Sequence, residues 1–236
     1  MKKDSLGDRM KRYEAVSQTK LMNRTPVIMR LDGKAFHTFT RGLEKPFDDR
    51  LNRAMSFTMQ TLCEEIQGAQ MGYTQSDEIS ILLQDWATFT TDGWYDYKTQ
   101  KMVSVAASIA TAVFNTAYQH PKNTKLALFD ARVFNVPFEE VTNAFIWRQQ
   151  DATRNSINSL AQAHFSHKEL QGLNVSQVQD KLMLERGINW NDIETRYKRG
   201  TCVNRTGEGA VELDLEIPIF TQDRNYIERH LKGETK

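Results

Sequence analysis

The first 136 residues predict six elements in the order β-α-β-β-α-β. That order is the split βαβ arrangement. It predicts an α/β fold of the α+β kind, a ferredoxin-like antiparallel sheet with helices on one face, followed by a mostly helical C-terminal region. Three observations carry the prediction. Apolar or alternating runs bounded by turn residues recur at 26–32, 69–75, 78–84 and 126–136. Leu51, Met55, Met59, Leu62 and Ile66 recur at helical spacing between the first two runs. A run rich in small residues, 102–119, fills the gap before the fourth and reads as a helix packed closely on a sheet.

Residues 5–22 read as a polar helix. The run PVIMRLD (26–32) is bounded by Pro26 and the Asp32-Gly33 turn signal and suits a buried strand. Pro46 and Asp48 open the next helix and Gly68 stops it. The runs 69–75 and 78–84 form a hairpin around Ser76-Asp77-Glu78. Residues 85–100, with Asp92-Gly93, read as a loop in which Trp86, Trp94, Tyr95 and Tyr97 are expected to pack rather than stack on bases. After Pro137 the pattern is helical to about residue 170, with further pieces near 175–186 and 190–197. A late hairpin pairs 200–205 with 210–217 around Thr206-Gly207-Glu208-Gly209. The expected division is a catalytic unit over 1–136 and a C-terminal region over 137–236, folded together.

Composition narrows the function classes. With 39% hydrophobic and 26% charged residues, the chain is neither disordered nor fibrous. No apolar run approaches the roughly 20 residues of a spanning helix, and no signal peptide is visible, so a cytoplasmic protein is expected. Two cysteines, Cys63 and Cys202, cannot build a disulfide framework or a four-ligand zinc site. The 31 Lys+Arg against 30 Asp+Glu leave no global field for nucleic acid. Basic clusters survive at Lys2, Lys3, Arg9, Lys11, Arg12 and Lys20, and at Arg186, Arg196, Lys198, Arg199 and Arg205, where a solvated surface is the ordinary reading.

In the predicted topology the first and third strands are neighbours, so Asp32 meets the hairpin that carries Asp77 and Glu78. Carboxylates converging at a sheet edge, without a Cys/His cluster, suit a hard cation held by oxygen. A pair of Mg²⁺ ions would serve phosphoryl or nucleotidyl transfer. Gly33 allows backbone N–H groups to turn toward phosphates, with Lys34, His37 and Lys45 nearby. An ordinary turn and hairpin tip would show the same residues.

Six blocks settle between these readings: LDGKAFHTF (31–39), GYTQSDEIS (72–80), QKMVSVAASIATAVFN (100–115), FDARVFNVP (129–137), WRQQDATRNSI (147–157) and YKRGTCV (197–203). In that order they resemble the tRNA-His guanylyltransferase (Thg1) family and its Thg1-like proteins. The resemblance implies a polymerase/cyclase-type palm that adds nucleotides in the 3′-to-5′ direction. A tRNA 5′-phosphate is activated by ATP or GTP, and the 3′-hydroxyl of an incoming nucleotide attacks it. By position it implies two Mg²⁺ ions on Asp32, Asp77 and the Gly33 carbonyl, with Glu78 beside them as a support or transient ligand. Asp32, Gly33, Lys34, Ala35, Phe36 and His37 would wrap the triphosphate, and Ser76 would touch nucleotide or metal. Lys45 and Asp48 fall at nucleotide contacts, and Arg148, Arg154, Asn155, Lys198 and Arg199 in blocks that meet triphosphate or the RNA 5′ end. A homotetramer is implied as well.

One departure matters. Eukaryotic members carry a His-Ile-Asn-Asn type sequence where this chain has Asp151-Ala152-Thr153-Arg154-Asn155-Ser156. The missing His marks the Thg1-like proteins of bacteria, archaea or phages and favours template-directed repair of the tRNA 5′ end over dedicated tRNA-His guanylylation. The rival expectations are a nucleotidyl cyclase, a 5′-to-3′ palm polymerase, and an inactive RNA-binding protein.

Overall fold

The computed structural model describes residues 5–119, 125–207 and 209–232. Lys2, Lys3 and Glu208, named above, lie outside the described residues. The strands are β1 (Val27–Gly33), β2 (Ala69–Gln75), β3 (Glu78–Leu83), β4 (Phe129–Asn135), β5 (Thr201–Arg205) and β6 (Val211–Asp214). They form one sheet, β4-β1-β3-β2-β5-β6, with every pair antiparallel. The expected α+β fold is therefore present, with β1 beside β3. The late hairpin extends the same sheet through β5 on β2, which the sequence did not indicate.

The helices are α1 (Leu6–Ala15), α2 (Phe36–Phe39), α3 (Asp49–Glu65), α4 (Thr99–Ala117), α5 (Phe138–His164), α6 (His167–Leu170), α7 (Val175–Arg186), α8 (Thr195–Arg199) and α9 (Asn225–Glu228). Strand alternation sends Val27, Met29 and Leu31 of β1 to one face, where α3 and α4 pack. Met55, Met59, Leu62 and Ile66 are fully buried there, each contributing roughly 1.5–3 kcal/mol by area. Ala106 and Ala110 let α4 lie close against them.

The other face corrects the expectation of helices on one side only. Ile28, Met71, Tyr73, Leu82 and Cys202 pack against Val141 and Phe145 of α5 and against Ile217, Phe220 and Ile227 of the C-terminal segment. A ferredoxin-like core leaves that face bare, and its apolar residues need a second cover. Other boundaries differ locally. The first helix ends at Ala15 rather than near 22. The short α2 was not anticipated, because Phe36 and Phe39 look like part of a turn until both bury among Phe114 and Phe129. Within the 85–100 segment Trp94 and Tyr97 are buried and Trp86 half-buried, as expected of packing aromatics, whereas Tyr95 is exposed and leans on the Trp94 ring. Both cysteines are buried and unbonded, and burial pushes the Cys63 thiol up to about 12. No described helix is long and apolar enough to cross a membrane.

Candidate active site

Asp32 lies near the end of β1, in register with Glu78 on β3 and Asp130 on β4. Directly opposed residues share a face, so the sheet sets three carboxylates in a row. Beside them Ser76 and Asp77 form the two-residue turn of the β2–β3 hairpin, with Ser76 in the left-handed region (φ 50°). The Gly33 N–H donates to the Asp77 carbonyl at 3.0 Å, which ties the turn to the end of β1. The Ser76 hydroxyl donates to Asp77 Oδ1 at 3.0 Å. Burial pushes the Asp77 carboxyl above its ordinary range and the charge of Asp32 adds to that, while the Ser76 hydrogen bond opposes both.

Glu78 has a different partner. Arg148 of α5 donates to it twice, Nε to Oε1 at 2.6 Å and Nη2 to Oε2 at 2.7 Å, and also reaches Asp151 at 3.0 Å. Burial pushes the Glu78 carboxyl up, and the Arg148 hydrogen bonds and charge oppose it. The guanidinium also lies over the Trp147 ring at 4.5 Å. Arg148 thus spends its donors inside the protein. Glu78 is held as one half of an ion pair.

Two hollows adjoin at this edge. An open one of about 380 Å³ is lined by Asp32, Gly33, Ala35, Phe36, His37 and Asp77 among others. A second, of about 270 Å³, is lined by Lys45, Asp48, Ser76 and Asn155, together with Phe47, Asn52, Ser156, Ser159, Arg196 and Tyr197. Thr40, Leu51 and Ser76 line both, so the two hollows adjoin along these residues. Gly33 is required by close approach, since a Cβ there would stand 2.3 Å from the Phe36 ring. Ala35 is left-handed (φ 53°) and opens α2, whose Phe36 side chain faces the core while His37 is exposed. Lys34 is exposed, and its N–H donates to the Leu128 carbonyl at 2.8 Å.

Some expected contacts are engaged elsewhere. Asp48 caps α3, accepting from the Leu51 N–H at 2.9 Å. Arg154 is exposed and paired with Asp151. Lys198 donates to the Asn191 carbonyl at 2.6 Å. Arg199 is half-buried with Nε unpartnered, and its carbonyl accepts from the Tyr73 hydroxyl at 2.7 Å. Neither Lys198 nor Arg199 lines the hollows; their neighbours Arg196 and Tyr197 do. The sequence marks Arg196 only as one charge in a basic cluster and Tyr197 only as the first residue of a block, with no role of its own. The signal available was the start of the YKRGTCV block.

Among the described residues no group of three or more His, Cys, Asp or Glu side chains is arranged to hold a metal. The smaller set of Asp32, Asp77 and the Gly33 carbonyl still fits Mg²⁺, which binds one or two carboxylates and completes its shell with water and substrate phosphates. The donors are all oxygen, and Asp77 is faced by a second carboxylate.

Comparison with known proteins places the chain in a family. Two solved bacterial tRNA-His guanylyltransferase (Thg1)-like proteins superpose on the chain. One, in complex with ATP, gives a TM-score of 0.91 at 50% identity, covering 96% of this chain and 99% of that one. The other, in complex with GTP, gives 0.84 at 45% identity, covering 97% and 99%. A tRNA(His) guanylyltransferase of Debaryomyces hansenii is 29% identical over 220 residues, covering 82% of this chain and 80% of its own. An uncharacterised protein of Acanthamoeba polyphaga mimivirus is 29% identical over 227 residues, covering 86% and 77%. The family model described as Thg1, tRNAHis guanylyltransferase, matches residues 7–137, more than half of the chain. The chain belongs to the tRNA-His guanylyltransferase family of nucleotidyltransferases.

Proposed function

We propose that this protein adds nucleotides to the 5′ end of tRNA in the 3′-to-5′ direction, directed by the opposite strand, with G preferred. The 5′-monophosphate attacks the α-phosphate of ATP, releasing pyrophosphate and leaving an adenylylated end. The 3′-hydroxyl of an incoming GTP then attacks the RNA 5′-phosphate, and AMP leaves. The observation that carries this reading is that the two hollows share Thr40, Leu51 and Ser76 as walls, which sets the hollow of Asp32 and Asp77 beside a cavity lined by Lys45, Ser76 and Asn155. The bacterial relative with ATP, at 50% identity over nearly the whole chain, supports nucleotide binding there.

In this reading Asp32, Asp77 and the Gly33 carbonyl would hold Mg²⁺, which would supply Lewis-acid activation of the attacking oxygen and charge stabilisation at the leaving one. The protein's own groups do the positioning. Lys45 and Lys34 bring positive charge to the phosphates. The Gly33–His37 turn offers its backbone from Ala35 onward, since the Gly33 and Lys34 N–H groups donate to the Asp77 and Leu128 carbonyls rather than toward phosphates. Arg148 orients Glu78 behind the carboxylate pair. Pairing with the acceptor strand holds the incoming hydroxyl in line, a proximity effect the protein need not supply. The enzyme is cytoplasmic and works as a homotetramer in the same proposal.

The test is a 5′-labelled tRNA lacking its first nucleotide, given ATP, all four nucleoside triphosphates and Mg²⁺. With C opposite the gap it takes G, and with A opposite it takes U. Growth at the 3′ end, a cyclic mononucleotide product, or G added regardless of the opposing base would overturn the proposal.

A further inference from the structure

The segment 40–48 joins α2 to α3 and carries Lys45 into the lining of the smaller cavity, to which α8 contributes Arg196 and Tyr197. This strap has no helix or strand of its own. Its attachment to α8 converges on the next residue, Asp49. The Tyr197 hydroxyl donates to Asp49 Oδ1 at 3.1 Å, and Arg196 pairs with the same oxygen at 2.8 Å. Arg53, one turn along α3, holds Oδ2 at 2.7 Å. Two residues earlier Phe47 lies flat on the Tyr197 ring, with centroids 4.8 Å apart and planes 7° apart. Arg196 covers the Tyr197 ring at 4.6 Å. Asp48 meanwhile is committed to the α3 cap and to the Glu44 N–H at 3.3 Å.

We propose that Asp49 is a positioning residue for nucleotide capture, holding the strap to α8 through Tyr197 and Arg196 and so setting where Lys45 meets the nucleotide phosphates. The inference rests on the nucleotide-transfer reading above. Asp49 is not itself in contact with the substrate; it acts through Lys45. Its effect is preorganisation. An unclasped strap must be ordered when the nucleotide binds, and the apparent affinity then falls by the fraction of molecules already competent. Loss of a clasp built on charge-assisted hydrogen bonds is expected to weaken binding about tenfold. The turnover of the saturated enzyme is expected to stay within about threefold, because the reacting groups are untouched.

The experiment measures ATP affinity with Mg²⁺ by calorimetry, and KM and kcat for transfer, in wild type, Asp49→Ala, Asp49→Asn and Tyr197→Phe. Asp49→Ala raises Kd and KM about tenfold. Asp49→Asn restores most of the affinity by keeping an acceptor for Tyr197 and Arg196. Tyr197→Phe keeps the stack on Phe47 and gives a smaller rise. In a Lys45→Ala background Asp49→Ala has little further effect, a coupling that general destabilisation would not produce. Should Asp49→Ala lose its melting transition, Tyr197→Phe and its coupling to Lys45→Ala carry the same test. A wild type that binds no ATP overturns the inference together with the function it rests on. ATP binding by the wild type with a folded Asp49→Ala within twofold of it, or effects additive with Lys45→Ala, overturns the inference alone.

Discussion

Replacing Arg148 by Ala should cost more stability than any other single change at the site. The Arg148 and Glu78 side chains are only 12% and 10% exposed, and the guanidinium meets the carboxylate with two bonds of 2.6 and 2.7 Å. Removing the arginine leaves a buried carboxylate in register with Asp32 and, on its remaining cationic side, only the more distant charge of Arg30. Breaking a buried pair from one side costs about 3–5 kcal/mol. For a chain of this length that is a fall in Tm on the order of 10 °C. Arg148→Lys keeps the charge but not the fork and should lose roughly half as much. The double replacement Arg148→Met with Glu78→Leu removes both charges and should recover most of the stability. Urea and thermal unfolding of the four proteins test this. An Arg148→Ala protein within about 1 kcal/mol of wild type, or a double variant no more stable than Arg148→Ala, would refute the reasoning.

Three other outcomes are expected. Gly33→Ala drives a Cβ to 2.3 Å from the Phe36 ring, and should destabilise by about 1–3 kcal/mol in urea unfolding while depressing transfer. His230, bonded to Asn204 at 2.9 Å and facing Arg229, is held by burial and by that arginine at about 4, down from 6.5. The folded state resists its protonation, so its share of stability is present above about pH 6.5 and is lost as pH falls toward about 4. That share is about 3 kcal/mol, so His230→Gln should flatten the acid limb of the Tm–pH curve by that order. Replacing Lys198 and Arg199 together should reduce the slope of log affinity for tRNA against log salt by about 1–2; an unchanged slope would move the RNA path toward the basic residues of α1.

The carboxylate pair was legible through topology. The element order β-α-β-β-α-β suggests the ferredoxin-like arrangement, in which β1 lies beside β3, and that adjacency brings Asp32 to the Asp77 turn. Gly33 was legible as a glycine, though the reason is the Phe36 ring beside it rather than a positive φ. The partner of Arg148 was not legible. Which turn of α5 faces Glu78, 70 residues earlier, depends on how α5 docks on the second face of the sheet, and no local pattern encodes that. Helix α8 is five residues long, too short for any periodicity to say that Arg196 and Tyr197 face the cavity while Lys198 turns to Asn191. Asp48 is legible as the residue that opens α3, whereas nothing local marks Asp49 beside it. In the folded chain Asp48 caps and Asp49 clasps α8.

Asp32 and Asp77, as proposed above, form the centre of nucleotide transfer to a 5′ end. The most direct measurement is incorporation of label from α-labelled GTP into a tRNA lacking its first nucleotide, with Mg²⁺ and ATP, by wild type and by Asp77→Ala. Relieving a buried carboxylate of its neighbour's charge should leave the variant folded, with a Tm in metal-free buffer no lower than wild type's. Wild type should place the label at the 5′ end, and Asp77→Ala should place none. Label at the 3′ end, or near-wild-type turnover by Asp77→Ala, would contradict the account.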